Sequence, residues 1–327
     1  MSRQSVAPRL LADVFGLIQQ ARARLAPVLP PTPLIRSDFL SRRLGRDVFL
    51  KLESLQPTGS FKVRPAFNGM LANLEQARSA GVVTSSSGNF AQAVAYAATE
   101  SGVDAQIVMM RGASKFKRDR TRGFGGTVVD CEDTFASRWE TTFRIQEESG
   151  RLLLHPYDSP ETIAGDGTLG LELLEQLEGD FDAYVPISGG GLISGVATAV
   201  KQVRPGCRVI GVQAKANPSM HDSIKGETAV TTRPEPSLAD ALAVATPGER
   251  TLEIVRRLVD DIELVSEKRI TEAVKLLANE QKLVAEGGGA VGVAALARGG
   301  RPAVCVLSGG NILPEKLRSV LAAAALA

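Results

Sequence analysis

The stretch "TGSFKVRP" at residues 58–65 sets Lys62 directly behind Phe61, at what reads as the start of a helix. A cation there meets the positive end of the helix dipole, so a merely solvated lysine gains nothing from the position. A lysine near a cationic field or an apolar wall keeps its amine neutral more readily, and a neutral amine forms Schiff bases with carbonyls. "SGGGLISG" (188–195) holds Gly189, Gly190 and Gly191 in succession. Their N–H groups can turn toward one point, which with a following helix makes an anion cradle of the phosphate-binding kind. "TSSSGNF" (84–90) carries Ser85, Ser86, Ser87 and Asn89 around Gly88. One such residue caps a helix, but three serines exceed one cap, and the surplus donors suit a carboxylate or a phenolic oxygen. "LSGGN" (307–311) presents Ser308 from the end of an apolar run.

These stretches need elements to bring them together. Short apolar, β-branched runs read as strands at 47–53, 81–86, 104–110, 126–131, 151–156, 181–188, 207–214, 261–266 and 302–310. Helical patterns lie between them at 133–149, 160–178, 191–204, 266–282 and 312–325, and 215–250 reads as mostly loop, punctuated by prolines. Continuous apolar strands with helical crossovers predict an α/β fold with open, mostly parallel sheets and flanking helices. Ligands of such sheets sit at the carboxyl ends of the strands, which is where the glycine, serine and asparagine stretches fall. "GGGAVG" (287–292) matches the GxGxxG spacing. It follows a helical pattern instead of a strand, so nucleotide binding is the weaker alternative.

Composition narrows the chemistry. Lys and Arg number 38 against 36 Asp and Glu, a balance that gives no footprint for nucleic acid or a membrane surface. No apolar run reaches the roughly 18 residues of a membrane-spanning helix, and the N-terminus does not read as a signal peptide. Cys131, Cys207 and Cys305 are isolated and read as small buried hydrophobes in a reducing cytoplasm. With only His155 and His221, neither a His-rich metal centre nor a Ser-His-Asp triad is expected, so a cofactor is. An amine, a phosphate cradle, a carboxylate pocket and one polar partner are what pyridoxal phosphate chemistry requires.

Taken in order, "KLESLQPTGSFKVRPAFN", "SSSGNFAQAVAYAA", "VPISGGGLISGVA", "AEGGGAVGVAAL" and "LSGGN" resemble the serine/threonine dehydratases among the fold type II (tryptophan synthase β-like) pyridoxal phosphate enzymes, as does "PPTPLIRSDFLSRRLG" near the N-terminus. The resemblance implies that Lys62 holds the cofactor as a Schiff base with Phe61 packed on its ring. It implies that Ser188, Gly189, Gly190, Gly191 and Leu192 hold the phosphate, that Asn89 contacts the 3′ oxygen, and that Ser308 bonds the pyridine nitrogen. Ser86, Ser87, Gly88, Asn89 and Phe90 would face the substrate, the loop taking its carboxylate. The freed Lys62 amine would remove the Cα proton, the β-hydroxyl would leave, and a 2-oxo acid and ammonia would follow.

The resemblance also implies a large cofactor domain from 1–77 and 154–327, a small mobile domain at 78–153, and pyridoxal phosphate in the cleft between them. A cytoplasmic homodimer acting on a small amino acid is expected. Feedback regulation is not, since the chain stops soon after "LSGGN". Ser87 is a second catalytic candidate, because a serine there serves the family's racemases on the ring face opposite the lysine; an amino-acid racemase is therefore the alternative. No metal site is expected, since Gln213 and Ser219 stand where metal-activated relatives carry carboxylates, with Asp222 nearby. Pro65 and Phe90 depart from the family pattern near the lysine and the carboxylate loop. They leave the substrate open among threonine, serine, bulkier analogues such as phenylserine, and hydroxyaspartate.

Overall fold

The computed structural model describes residues 3–226 and 228–322. The far ends of the expected large domain and the end of the helix expected at 312–325 lie outside the described residues. Ten strands form two sheets among the described residues. They are β1 (Leu34–Arg36), β2 (Val48–Lys51), β3 (Val82–Ser85), β4 (Ala105–Met110), β5 (Thr127–Cys131), β6 (Leu152–Leu153), β7 (Asp182–Pro186), β8 (Arg208–Ala214), β9 (Asp261–Val265) and β10 (Ala303–Val306). A six-stranded sheet runs β1-β2-β10-β7-β8-β9 and a four-stranded sheet runs β5-β4-β3-β6. Every pairing is parallel except β1 with β2.

Burial explains the apolar runs. Every residue of β3, β7 and β10 is buried, because crossover helices cover both faces of the sheets. At the edge of the smaller sheet, β5 is exposed at Thr127 and Asp130, and its sequence is accordingly more polar. Helices Pro160–Gln176 and Gly191–Val203 pack closely against each other. A Cβ on Gly195 would sit 2.4 Å from both Gly167 N and Ile163 O, so the approach requires glycine.

Nine of these strands match the expected runs, each shortened at one or both ends. The exception is β1, three residues after Pro33 that carry no periodic signal. The run expected at 151–156 pairs over only two residues, because Pro156 lacks the N–H that would extend the ladder. "GGGAVG" opens the buried helix Gly287–Ala295. Its glycines admit neighbouring backbone: a Cβ on Gly287 would lie 2.4 Å from Leu238 O, and one on Gly289 2.2 Å from Gly309 O. Close packing thus accounts for the motif without a nucleotide. The carboxyl ends of β3, β7 and β10 converge on one cavity of about 370 Å³.

Candidate active site

Lys62 stands at the N-cap position of helix Val63–Leu71, inside the cavity wall. Its approach is fixed by an antiparallel bridge between Ser60 and Gly309. Phe61 N donates to Ser308 O at 3.0 Å, and Gly310 N donates to Gly59 O at 2.9 Å. Pro65 lies in the first turn of the helix, where an N–H has no intrahelical acceptor, so the proline costs nothing there. The Lys62 amine donates to Pro156 O at 2.6 Å and lies 4.8 Å from the Phe61 ring centre. Burial holds its pKa below the usual lysine value, while the buried Asp166 carboxylate opposes that shift. The lysine is therefore no solvated surface group.

Two residues on, Arg64 anchors the helix in a buried charge network. It bonds Glu53 through Nε and Nη2 at 2.8 Å, and Glu172 through Nη1 at 2.7 Å and Nη2 at 2.8 Å. Lys51 reaches Glu172 at 2.6 Å. Two cations and two carboxylates, all nearly inaccessible to water, balance one another. Such a set fixes geometry more than it stabilises, since desolvation offsets the attraction.

The cradle forms where β7 ends. Ile187 N still pairs with Val212 O at 2.9 Å; Ser188 to Gly190 then turn into helix Gly191–Val203. Ser194 N is paired with Gly190 O at 3.0 Å, so the N–H groups of the helix's first turn are left for a ligand. Gly190 has φ +99°, a left-handed conformation that favours glycine. A Cβ on Gly189 would lie 2.4 Å from Cγ of Tyr157, and one on Gly190 2.7 Å from Thr251 Oγ1. Thr251 Oγ1 donates to Gly189 O at 2.7 Å and holds the turn from outside. The Ser188 hydroxyl is buried without a hydrogen-bond partner among the described residues.

The serine loop follows β3. Ser86 N donates to Val108 O at 3.2 Å, and Ser86 Oγ accepts from Gly88 N at 3.3 Å. Ser87 Oγ accepts from Met110 N at 3.3 Å and from Arg138 Nη1 at 3.5 Å. Ser85 Oγ accepts from Arg138 Nε at 2.9 Å. Each hydroxyl that accepts in this way keeps its own proton to donate. Asn89 is fixed at both ends of its amide: Nδ2 donates to Glu286 Oε1 at 2.6 Å and Oδ1 accepts from Asn311 Nδ2 at 2.9 Å. Burial pushes the Glu286 carboxyl up to about 7, against the Asn89 hydrogen bond.

All the site residues expected from the sequence line this one cavity: Phe61, Lys62, Ser86, Ser87, Gly88, Asn89, Phe90, Ser188, Gly189, Gly190, Gly191, Leu192 and Ser308. Among the described residues Ser308 Oγ has only a long contact, 3.5 Å, to Gly288 O. Gln213 Oε1 accepts from His221 N at 2.9 Å while its buried Nε2 has no hydrogen-bond partner among the described residues, and Ser219 Oγ donates to Val244 O at 3.0 Å.

Sequence reasoning missed Arg138, Trp139, Tyr157 and Glu286, which line the same cavity, and Asp166 just behind it. Arg138 has no carboxylate partner among the described residues; burial lowers its pKa, and it lies 4.6 Å from the Phe135 ring centre. Trp139 stacks on His155 with ring centres 4.9 Å apart. Burial and the Lys62 charge push His155 down to about 4. Its Nδ1 accepts from Tyr157 N at 3.3 Å and Asp158 N at 2.8 Å. The arginine and tryptophan lie on helix Phe135–Ser149, remote in sequence from every glycine-rich motif, and only the fold brings them in.

Comparison with known proteins gives the site its setting. The family described as pyridoxal-phosphate dependent enzyme matches residues 25–309. An L-threonine ammonia-lyase of Thermotoga maritima is 43% identical over 299 residues, covering 90% of this chain and 75% of the relative. The catabolic L-threonine dehydratase TdcB of Escherichia coli K12 is 42% identical, covering 90% and 92%. The solved structure of maize serine racemase superposes with a TM-score of 0.89 at 36% identity, covering 93% of this chain and 95% of that one.

Proposed function

The chain belongs to the pyridoxal-phosphate dependent enzyme family, and on that premise we propose that it is an ammonia-lyase converting a β-hydroxy amino acid to a 2-oxo acid and ammonia. One observation carries the reading: a desolvated lysine amine faces the space between an anion cradle and a serine loop backed by an uncompensated arginine. The residues fit the cofactor. The Ser188 hydroxyl, without a partner among the described residues, and the glycines at which a Cβ would crowd Tyr157, Thr251 and Asp166 line the same cavity as Lys62.

In this reading Ser188 to Leu192 hold the phosphate, Phe61 packs on the ring, Asn89 holds the phenolic oxygen and Ser308 faces the ring nitrogen. When bound, the cofactor withdraws the electron pair left at Cα. Burial shifts Lys62 Nζ toward its neutral form, the form that accepts a proton from Cα. Arg138 and the Ser86 and Ser87 hydroxyls hold the substrate carboxylate, which orients the Cα–H bond. The segment 78–153, which contains the serine loop and Arg138, acts as a small domain that closes on the rest and excludes water. A cytoplasmic homodimer belongs to the same reading.

Threonine and serine head the substrate order, supported by the threonine ammonia-lyase relatives. The apolar wall of Phe90, Met110, Phe135 and Trp139 extends it to a phenylserine-like side chain. A panel of threonine, serine, phenylserine and hydroxyaspartate, assayed for 2-oxo acid and ammonia, tests this; turnover of none of them sinks it. Racemisation is the second reading, favoured by the serine racemase neighbour and by Ser87. Both partners of Ser87 Oγ are donors, however, so no base among the described residues is placed to take its proton. Elimination therefore dominates. Incubating one enantiomer in D₂O decides the matter, since fast accumulation of the other, lost in Ser87→Ala while elimination survives, would make the enzyme a racemase.

A further inference from the structure

Asp166 has no role in the scheme above, yet it is the least satisfied group near the site. It lies on helix Pro160–Gln176, fully buried, and neither carboxylate oxygen has a hydrogen-bond partner among the described residues. A buried carboxylate without partners costs several kcal/mol unless a charge or a proton compensates it. Its place in the fold suggests which. A Cβ on Gly191, the first residue of the cradle helix, would sit 2.9 Å from Asp166 Oδ2 and 2.9 Å from Tyr157 O. Asp166 thus lies directly behind the cradle, against the positive end of helix Gly191–Val203. The charged groups facing it are Lys62 and Arg64 from the start of the neighbouring helix and Glu53 from the segment after β2; the Tyr157 backbone packs beside it at Gly191.

While the cradle is empty, the Lys62 ammonium and the helix end favour the ionised carboxylate. A cofactor held in the cradle would engage the Lys62 amine and bring its phosphate's negative charge to the helix end. Negative charge there disfavours a second anion in a buried space.

We propose that Asp166 is a positioning residue that takes up a proton when the phosphate is seated, so that cofactor retention is linked to pH. This rests on the cradle taking pyridoxal phosphate and not on the ammonia-lyase reaction. Burial already raises the Asp166 carboxyl to about 7, with Lys62 opposing, so the linkage falls in an accessible range. A single proton taken up on binding makes the dissociation constant rise about tenfold per pH unit above that point.

The test measures cofactor retention by equilibrium dialysis from pH 6 to 9, read from visible absorbance and from quenching of Trp139, the single tryptophan. Asp166→Asn keeps the shape and removes the titration. Phosphate ionisation is common to both proteins; Lys62 ionisation is not, because the variant removes the Asp166 charge that opposes its lowered pKa, so an infrared label isolates the aspartate itself. The expected result is a variant whose retention is at least tenfold less sensitive to pH between 7 and 9. Equal pH profiles overturn the proposal while leaving the cofactor assignment intact; a wild-type protein that holds no cofactor overturns both. Infrared spectra of ¹³C-aspartate-labelled wild-type holoenzyme at pH 8 give a check that needs no variant. A protonated aspartic acid carbonyl band is expected, distinct by its label from Glu286, and its absence refutes the proposal.

Discussion

Replacing Arg138 by leucine separates binding of the substrate carboxylate from everything else the site does. The guanidinium is partly buried, bonds two serine hydroxyls of the loop and has no carboxylate of its own among the described residues. A hydrogen bond to a charged group contributes about 1.5–3 kcal/mol, and about 1.4 kcal/mol is a factor of ten. The expected loss is therefore roughly 10- to 150-fold in kcat/KM, carried mainly by KM if the contact is equally strong in ground and transition states. Leucine keeps an apolar contact with Phe135, so the fold survives. The decisive assay compares the best substrate with its carboxamide. Wild-type enzyme prefers the acid, and in Arg138→Leu that preference shrinks by the same factor. A variant that loses activity but keeps the wild-type ratio of acid to amide refutes the role.

Gly189→Ala drives a Cβ to 2.4–2.7 Å from three ring atoms of Tyr157, an overpacking cost of about 1–3 kcal/mol, and visible absorbance after dialysis should show weaker cofactor retention. Glu172→Gln leaves Lys51 and Arg64 facing Glu53 alone in the core; urea unfolding should show a loss of about 3–5 kcal/mol, and a loss below about 1 kcal/mol would count against the network. His155, pushed down to about 4 by burial and Lys62, should stay neutral at pH 5 in an NMR titration of the two histidines. Its folded pKa lies below the unfolded value, so its contribution to stability is full above about pH 6.5 and is lost as pH falls toward 4.

The parallel sheets and the three glycine- or serine-rich strand ends were legible because both follow from local rules. Buried strands must be apolar throughout, and phosphate-binding turns must be small. Lys62 could be singled out by its place at a helix start, but its burial could not: the wall around it comes from Phe90, Pro156 and Tyr157 on other segments. Arg138 and Asp166 look in the sequence like ordinary polar positions of amphipathic helices. Their missing partners exist only in three dimensions. β1 escaped notice because a three-residue strand is too short to show alternation, and it is defined by its antiparallel pairing with β2. "GGGAVG" shows the opposite case, a pattern legible in sequence whose cause is close backbone packing.

The central claim is that Lys62 carries the cofactor and supplies the base. Two other lysines bracket it as controls: Lys117 lines the same cavity but is paired with Asp240 at 3.2 Å, and Lys51 is buried in the charge network. Borohydride reduction of the purified holoenzyme, followed by peptide mapping, fixes the cofactor to whichever amine holds it. A pyridoxyl group on Lys62 alone is expected, with no visible cofactor absorption in Lys62→Ala. A label on Lys117 or Lys51, or a Lys62→Ala protein that retains both the absorption and turnover, would contradict it.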